Sequence, residues 1–326
     1  MRDEALHIHV APGGGGDYAT IGEAVQASPY DMETVVHIHP GLYEEKVFCE
    51  KRNITLLGAG REQTVLRWRD GAYQSHADGR KKGTFRSYTL FLGGECCRLE
   101  GMTVENAAGD GEIAGQGLAL YADAASLWVK DVELIGCQDT LFCAPLPERE
   151  RLPGGFLGPR MLCPRRFCRQ YYQDCRVEGD IDFIFGGGDA VFENCEIISR
   201  DRGKVVNGYI AAPSGPKEGL GFVFLDCRFT SQAAPGTVYL GRPWRAYGKA
   251  SLLGCYVGAH ILPQGWDDWQ QESNRRTAAF AEFGSWGPGA SPTRRAAWSR
   301  QLTGEEAAAM ERRATELREQ IRKEWR

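Results

Sequence analysis

An internal repeat of short strand-like segments constrains the fold of this chain more than any other feature. Five segments share one four-residue pattern: Asp, Asn or Gly, then a small apolar residue, then a polar residue, then an apolar residue. The small apolar residues of the five segments are Val132, Cys175, Cys195, Cys227 and Cys255. They lie 43, 20, 32 and 28 positions apart, which fits a coil of roughly twenty residues with loops inserted at particular corners. Stacked coils of this kind pair their strands in parallel and form a β-solenoid.

A β-sandwich is the alternative architecture, but two-residue Asn-Gly or Asp-Gly turns rarely separate these strand segments, as the hairpins of a sandwich require. Glycine contributes 41 of the 326 residues, roughly twice its average share, so many tight turns are expected. Only the tail indicates a long helix: Thr303 and Glu306 form a capping box, followed by an apolar stripe of Met310, Ala314, Leu317 and Ile321. We therefore expect a solenoid domain over residues 1–304 and a C-terminal helix over 305–326 that packs on it or extends from it.

The eleven cysteines indicate neither a disulfide framework nor a metal site. Their number is odd and no CxxC pair occurs, so zinc-ribbon and thioredoxin interpretations fail. A free cysteine packs as a small apolar residue, so we interpret the repeated cysteines as a stack of buried side chains rather than a metal or redox ladder. Two histidine pairs, His7 with His9 and His37 with His39, fit polar strand faces better than a zinc site.

The charge pattern excludes several classes of protein. There are 39 basic and 43 acidic residues, which give a net charge of −4, so a general nucleic-acid binder is not expected. No apolar run approaches the roughly 18 residues of a membrane span, and the first residues lack the apolar core of a signal peptide. Free cysteines and this start predict a cytoplasmic protein, although a secreted protein whose leader had been removed would show the same sequence.

Four short motifs and one further residue carry the chemistry. The motifs are GLYEE (41–45), QDTL (138–141), GDIDFIFG (179–186) and LGRPW (240–244), and the further residue is Gln116, at the start of a strand pattern. Two carboxylates that lie close together need environments that push their pKa values apart, which creates one acid and one base. Asp182 lies within an otherwise apolar run, and a guanidinium beside it would keep its carboxylate ionised and aim it.

These motifs closely resemble those of the pectin methylesterase (pectinesterase) family, whose signatures GxYxE, QDTL, DFIFG and LGRPW occur in the same order. The segments between and after the motifs are also similar, so the resemblance covers residues 7 to 304. It implies a right-handed, single-stranded parallel β-helix. It also implies hydrolysis of the C6 methyl ester of galacturonosyl residues in pectin (methylated homogalacturonan) or methylated oligogalacturonides, giving methanol and a free carboxylate. We expect a monomer that needs no cofactor or metal.

The resemblance also implies roles for individual residues. Asp182 matches the nucleophile of the family, and Asp139 matches its general acid, which later acts as a base. Gln116 and Gln138 match the residues of the oxyanion site. Arg242 matches the residue that orients the nucleophile.

Other residues are candidates for contact with the sugar. Thr84 and Trp244 match family positions that contact it, and an indole face suits the axial C–H groups of a pyranose ring. Trp266, together with Trp269, is a candidate second platform for a sugar. Packing in the core or at an edge is an equal alternative for these two tryptophans.

Other functions and roles stay open as alternatives. A non-catalytic carbohydrate-binding β-helix would keep only the scaffold, with Asp139 capping a turn and Asp182 as a buried structural partner of Arg242. The presence of the complete set of motifs argues against it. A pectate lyase would need clustered carboxylates for calcium, and the sequence shows no such cluster. Within GLYEE, Tyr43 and Glu45 are expected to fix a turn and not to take part in catalysis.

The segment between QDTL and the next strand is longer than in the family. It spans Phe142 to Phe167 and is rich in Pro, Gly and Arg, so we expect a surface loop that leaves the coil beside the site. Five of its arginines could attract galacturonate carboxylates: Arg149, Arg151, Arg160, Arg165 and Arg166. Loops on a rigid scaffold commonly set specificity, so we expect this loop to narrow the groove and to favour short methylated oligomers over long pectin.

Overall fold

Short strands of two to six residues succeed one another along the chain, and within each sheet they pair in parallel with the strands of the neighbouring coils. The computed structural model describes residues 5–325. Three parallel sheets run side by side along the axis of a right-handed parallel β-helix, whose interior holds the main apolar core. The fold expected from the repeat is confirmed.

Sheet 1 consists of β1 (Leu6–Val10), β2 (Thr34–Ile38), β5 (Ile54–Gly58), β8 (Cys96–Glu100), β11 (Ser126–Lys130), β14 (Arg169–Gln173), β17 (Asp189–Glu193), β20 (Phe222–Leu225), β23 (Lys249–Leu253), β25 (Ala279–Phe283) and β26 (Arg300–Gln301). Sheet 2 consists of β4 (Val47–Cys49), β7 (Leu90–Leu92), β10 (Leu120–Ala122), β13 (Leu141–Cys143), β16 (Ile181–Gly186), β19 (Gly208–Pro213) and β22 (Val238–Gly241). Sheet 3 consists of β3 (Gly41–Glu44), β6 (Thr64–Trp68), β9 (Thr103–Asn106), β12 (Glu133–Ile135), β15 (Arg176–Gly179), β18 (Glu196–Ser199), β21 (Arg228–Ser231) and β24 (Tyr256–Val257).

The corner between sheet 1 and sheet 3 explains the repeat in the sequence. The residue before each small apolar position has a positive φ, which is 50° at Asp131, 55° at Asp174, 54° at Asn194, 51° at Asp226 and 67° at Gly254. Glycine adopts this left-handed conformation freely, and Asp and Asn tolerate it better than other residues do. The pattern of Asp, Asn or Gly before a small residue is therefore the signature of a sharp turn into the next strand.

The small residues that follow these turns stack inside the helix. Cys175, Cys195, Cys227 and Cys255 are at most 1% exposed, and each thiol donates to a backbone carbonyl of the preceding coil. All eleven cysteines are free. The interpretation of the repeated cysteines as a stack of small buried side chains is confirmed.

The helices are α1 (Ile21–Ala27), α2 (Gly111–Ala114), α3 (Asn274–Thr277) and α4 (Gly304–Glu324), with 3₁₀ turns at Thr84–Arg86 and Pro292–Arg294. The long helix α4 begins after the capping box of Thr303 and Glu306, as expected. Its apolar face packs against side chains of sheet 1 and its edge loops; the helix contributes Ala307, Ala314, Leu317 and Ile321, and the partners include Tyr171, Val191, Val223 and Leu253. Between residues 5 and 325, no helix combines the length and the apolar character that crossing a membrane requires.

The GLYEE motif holds the N-terminal coils together. The Tyr43 hydroxyl donates to the carbonyl of His39 at 2.9 Å. The Glu45 carboxylate accepts from the backbone N–H groups of Ile21 at 2.7 Å and Gly22 at 2.8 Å, at the start of α1, where negative charge is favourable. These contacts confirm that the motif has a structural role.

Candidate active site

Asp139 and Asp182 come together because they occupy the same register on neighbouring coils. In sheet 2, Leu141 of β13 pairs with Ile184 of β16, an offset of 43 positions that also separates the two aspartates. The backbone N–H of Asp139 donates to the carbonyl of Ile181 at 3.0 Å. The long segment after QDTL lengthens the coil without changing this pairing, since its extra residues leave between β13 and β14.

Both aspartates combine a left-handed backbone with a buried side chain. The φ angle is 66° at Asp139 and 50° at Asp182, and the two residues are 8% and 7% exposed. The pairing of β16 with β19 shifts register beside Asp182, and bulges of this kind re-aim a side chain. The turn at Asp139 is fixed by the Thr140 hydroxyl, which donates to the carbonyl of Glu178 at 2.9 Å.

Arg242, which follows β22, holds Asp182 in a two-pronged ion pair. Its Nε donates to one carboxylate oxygen at 2.8 Å and its Nη2 donates to the other at 2.7 Å. The guanidinium also lies over the ring centroids of Tyr209 at 3.7 Å and Trp269 at 3.8 Å. The guanidinium is planar, contacts the two aromatic rings and donates both hydrogen bonds from one edge, so it has little freedom to rotate. It therefore fixes the direction of the Asp182 carboxylate.

Burial and neighbouring charge give the two carboxyl groups different proton affinities. Desolvation raises the pKa of both Asp139 and Asp182. At Asp182 the hydrogen bonds and charge of Arg242 oppose this rise. At Asp139 the negative charge of Asp182 adds to desolvation, so this pKa lies well above its usual value. The arrangement favours a protonated Asp139 beside an ionised Asp182.

A cleft of about 350 Å³ opens at these carboxylates, and Thr84, Gln116, Gln138 and Trp244 all line it. Thr84 begins the 3₁₀ turn Thr84–Arg86. Gln116 and Gln138 are partly buried, and their side-chain amides form no hydrogen bond with the rest of residues 5–325. Their N–H groups can therefore donate to a ligand in the cleft.

Aromatic side chains form the floor of the cleft. Phe85, Phe156 and Phe185 line it with Trp244, whose ring meets Phe185 edge-on with the ring centroids 5.6 Å apart. These rings belong to an apolar cluster separate from the interior of the β-helix. An apolar floor lowers the local dielectric constant, which strengthens the effect of charge on both aspartates.

Trp266 is not part of the cleft, so the prediction that it contacts sugar is wrong. It is 2% exposed, and its ring stacks on Phe280 with centroids 4.6 Å apart and 12° between the ring planes. The cause is that Trp266 forms a parallel bridge with Gly241 as part of a further coil, and its ring packs in the interior core. Trp269 lies in the following loop, over Arg242, and lines the cleft.

The long segment after QDTL lies beside the cleft, as expected, but it begins later than the predicted Phe142. Phe142 and Cys143 continue β13, because they pair with β10 and β16. The extra loop therefore runs from residue 144 to residue 168, and we call it the insertion. The insertion residues that line the cleft are Arg151, Leu152, Gly155 and Phe156.

Several residues of the site were not assigned to it from the sequence: Phe85, Phe156, Tyr209 and Arg245. Register could have revealed Tyr209, which pairs with Ile181 beside Asp182. Phe85 directly follows Thr84, but a single aromatic residue in a loop gives no signal of its own. Phe156 lies in the insertion, where no repeat indicates which side chains turn inward.

The site contains one arginine-bound carboxylate, one carboxyl group that favours its protonated form, and two amide donors. These are the groups that nucleophilic hydrolysis of an ester requires. Within the described range 5–325, no group of three or more His, Cys, Asp or Glu side chains is placed to hold a metal ion. Fold and site together define a β-helical ester hydrolase with a carboxylate nucleophile as its expected chemistry.

Comparison with known proteins agrees with this class. The family model for pectinesterase matches residues 7–146 and 165–317. Pectinesterase 31 of Arabidopsis thaliana is 34% identical over 310 residues, which cover 92% of this chain and 89% of that protein. Pectin methylesterase from carrot has a TM-score of 0.76 at 27% identity, with 92% of this chain and 89% of that chain covered. PemA, the pectin methylesterase of Erwinia chrysanthemi, has a TM-score of 0.75 at 26% identity, with 94% and 95% covered.

This chain belongs to the pectinesterase family of carboxylic ester hydrolases. The family match omits residues 147–164, which lie within the insertion. The part of the cleft wall that contains Arg151, Leu152, Gly155 and Phe156 is therefore an addition to the family pattern.

Proposed function

We propose that this protein hydrolyses the C6 methyl ester of galacturonosyl residues in methylated homogalacturonan or oligogalacturonides, with Asp182 as nucleophile and Asp139 as general acid. The observation that carries the proposal is the pairing of these two buried aspartates on adjacent coils, with Arg242 bound to only one of them. A mutant pectin methylesterase in complex with a hexasaccharide resembles this chain, with a TM-score of 0.74, 27% identity, and 92% of this chain and 94% of that chain covered. That likeness supports a sugar chain as the substrate.

In the first step an oxygen of the ionised Asp182 carboxylate attacks the carbonyl carbon of the methyl ester. Arg242 aims this oxygen and keeps it ionised. The leaving methoxide is too basic to depart unaided, so Asp139 donates its proton and methanol leaves. The product is an anhydride between Asp182 and the sugar acid.

Negative charge develops on the carbonyl oxygen during the attack. The amides of Gln116 and Gln138 line the cleft and have no partner of their own among residues 5–325, so we assign them to this oxygen. A single donor of this kind typically contributes about 3 kcal/mol to transition-state stabilisation.

The second step releases the acid. Asp139, now a carboxylate, removes a proton from a water molecule, and the resulting hydroxide attacks the anhydride. The Asp182 carboxylate leaves from the anhydride and regains its negative charge, Asp139 is again protonated, and the sugar departs as a carboxylic acid that loses its proton to solvent and becomes the free carboxylate. We assign Thr84 and Trp244 to contact with the sugar, because Trp244 offers a ring face in the cleft and Thr84 a hydroxyl.

Methanol release from methylated pectin tests the proposal, with the absorbance of unsaturated products measured in the same sample. We expect methanol without unsaturated products. A non-catalytic carbohydrate-binding protein would give neither signal, and a lyase would give unsaturated products without methanol; either outcome contradicts the proposal.

We also propose that the protein acts as a cytoplasmic monomer. Its eleven free cysteines support a reducing compartment, and the apolar face of α4 is covered by its own chain. Cell fractionation checks the location, and light scattering coupled to size-exclusion chromatography checks the mass in solution.

A further inference from the structure

Three arginines of the insertion hold it on the scaffold. Arg160 and Arg166 converge on the carboxylate of the buried Asp123, at 2.5 Å and 3.7 Å. Arg165 donates to three backbone carbonyls of the insertion, at residues 147, 160 and 163. These contacts narrow the prediction that all five arginines of the insertion attract substrate. The side chain of Arg149, by contrast, is exposed and forms no hydrogen bond or ion pair within residues 5–325.

The insertion lines a second pocket besides the active-site cleft. This pocket has a volume of about 630 Å³, and we call it the side pocket. Both legs of the insertion line it, through residues 145–149 and 165–167, together with the loops that follow β19 (214–218) and β22 (245–247). Among residues 5–325, the cleft and the side pocket share only Arg245. The side pocket is therefore a separate site, and the insertion forms one of its walls.

The walls of the side pocket are fixed by their own contacts. The strands β13, β16, β19 and β22 are neighbours in sheet 2, so the loops that follow them lie side by side. The Lys249 amine donates to the carbonyls of Lys217 and Gly219, which holds the loop after β19. Nη2 of Arg245 donates to the carbonyl of Arg149 at 3.2 Å, which ties the loop after β22 to the insertion. A preformed pocket of this volume is typical of a site for a small molecule.

Aromatic rings face the side pocket without being covered by the protein. Phe167 is 53% exposed and Tyr247 is 40% exposed, and both line the pocket. Three proline rings lie in the same walls: Pro145, Pro147 and Pro216. A flat apolar ligand would cover these rings and remove their surface from water.

The charge of the side pocket favours an anion. Basic residues outnumber acidic ones five to two in its lining, with Arg149, Arg165, Arg166, Lys217 and Arg245 against Glu148 and Glu218. Like Arg149, the exposed Lys217 has a side chain without a hydrogen bond or ion pair in the described part of the chain. These two cations are therefore available to a ligand. The two glutamates oppose a high negative charge, so a monoanion suits the pocket better than a polyanionic chain.

Ser214 offers a further polar group in the same wall. It is 9% exposed, and its hydroxyl has no hydrogen-bond partner among residues 5–325. A buried hydroxyl that lacks a partner costs free energy. An acceptor oxygen on a ligand at this wall would supply the missing partner.

We propose that the side pocket binds a small aromatic monocarboxylate. The ring of this ligand lies against Phe167 and Tyr247. Its carboxylate binds between Arg149, from the insertion, and Lys217, from the loop after β19. The family match omits residues 147–164, which include Arg149, so this site is an addition to the family pattern.

The first test measures binding of three probes to the full-length protein by isothermal titration calorimetry. The probes are 2-naphthoate, the neutral 2-naphthylmethanol and acetate, which carry both the ring and the charge, the ring alone and the charge alone. We expect 2-naphthoate to bind with one molecule per chain and the other two to bind more weakly. Binding of 2-naphthylmethanol or acetate as tight as that of 2-naphthoate, or no binding of 2-naphthoate, would overturn the inference.

The second test locates the bound 2-naphthoate with variants of exposed side chains. Arg149→Gln and Lys217→Gln should each weaken its binding about fivefold, the upper range for an exposed ion pair. Arg151→Gln is the matched control, because it removes the same charge from the same loop but on the side of the cleft. We expect it to leave the affinity unchanged. Weaker binding in Arg151→Gln, or equal binding in all three variants, would place the ligand elsewhere and contradict the inference. Both tests measure binding without ester hydrolysis, so their outcome is independent of the proposed function.

Discussion

Two regions of this β-helix contain aspartates with a left-handed backbone conformation, and these aspartates have different roles in the two regions. At the corner between sheets 1 and 3, Asp131, Asp174 and Asp226 adopt a left-handed conformation and turn the chain. Along the edge of sheet 2, Asp139 and Asp182 adopt the same conformation. The corner aspartates are exposed or half-exposed, whereas the two at sheet 2 are less than a tenth exposed.

The difference between the two regions lies in the surroundings of the carboxyl group. At the corner the carboxylates reach the surface, so water solvates their charge. At the cleft, burial raises both pKa values, Arg242 opposes the rise at Asp182, and the charge of Asp182 adds to it at Asp139. A residue type that merely permits a turn in one place thus becomes a candidate nucleophile or acid in another, through packing and charge alone.

The largest effect should follow from removing either cleft carboxylate. Asp182→Asn loses the attacking group and Asp139→Asn loses the proton donor, with almost no change in volume. We expect each to lower the kcat for methanol release at least ~10²-fold, which is the lower end for general acid–base catalysis.

Asp226→Asn is the matched control for these two variants, since it makes the same change at a left-handed corner aspartate. Its activity should equal that of the wild type, because Asn tolerates the same backbone conformation. Near-normal methanol release by a folded Asp182→Asn or Asp139→Asn would disprove the assignment of that residue.

A smaller effect should follow from Arg242→Lys. Lysine keeps the charge but cannot bind both oxygens of Asp182 or lie flat between Tyr209 and Trp269, so we expect kcat/KM to fall about tenfold or more. Loss of the paired hydrogen bonds should raise the pKa of Asp182, which must be ionised to attack. The acidic limb of the pH profile should therefore move to higher pH. If Arg242→Lys has the kinetics of the wild type and the acidic limb of its pH profile does not move, then only the positive charge at position 242 matters for catalysis, and the paired hydrogen bonds do not.

The sequence predicted the repeating parts of this molecule because they follow from local rules. Left-handed corners admit only a few residue types, so Asp, Asn or Gly before a buried Val or Cys marked each turn. The pairing of Asp139 with Asp182 was predictable from the motifs and has the same 43-residue offset as Val132 and Cys175.

The parts that failed or were missed lie in loops, or at the point where the chain leaves a coil for a loop, where the sequence pattern of the repeat ends. Trp266 and Trp269 are three positions apart, yet one packs on Phe280 in the core and the other covers Arg242. Nothing in the local sequence indicates which ring turns inward. In the insertion, likewise, only the packing shows that Arg151 enters the cleft while Arg160, Arg165 and Arg166 hold the loop.

Substitutions at the corner should change the stability of the protein, whereas substitutions in the cleft should change its activity. Asp226 has a φ of 51°. Alanine tolerates this left-handed conformation poorly, so Asp226→Ala introduces strain, whereas glycine adopts the conformation freely and Asp226→Gly introduces none. We expect the alanine variant to lose about 1 kcal/mol of unfolding free energy relative to glycine, measured by denaturant titration. Activity per folded molecule should be unchanged in both. A drop in activity without a change in stability would contradict the division between the two regions.

The smallest effect should follow from shortening the insertion. Replacing residues 147–164 by a Gly-Ser link removes one wall of the cleft, with Arg151, Leu152 and Phe156. We expect the ratio of activity on polymeric pectin to activity on short methylated oligomers to rise a few-fold, because loops beside a rigid site commonly limit access. An unchanged ratio would show that the insertion does not set the preferred chain length.

The protonation states of the two aspartates test the central claim most directly. Carbon-13 NMR of protein labelled at the Asp carboxyl carbon measures them, and the Asn variants at positions 139 and 182 assign the two signals. We expect Asp139 to hold its proton at pH 7 and Asp182 to be ionised, as their burial and the position of Arg242 require. An ionised Asp139 at pH 7, or a proton on Asp182 instead, would contradict the account.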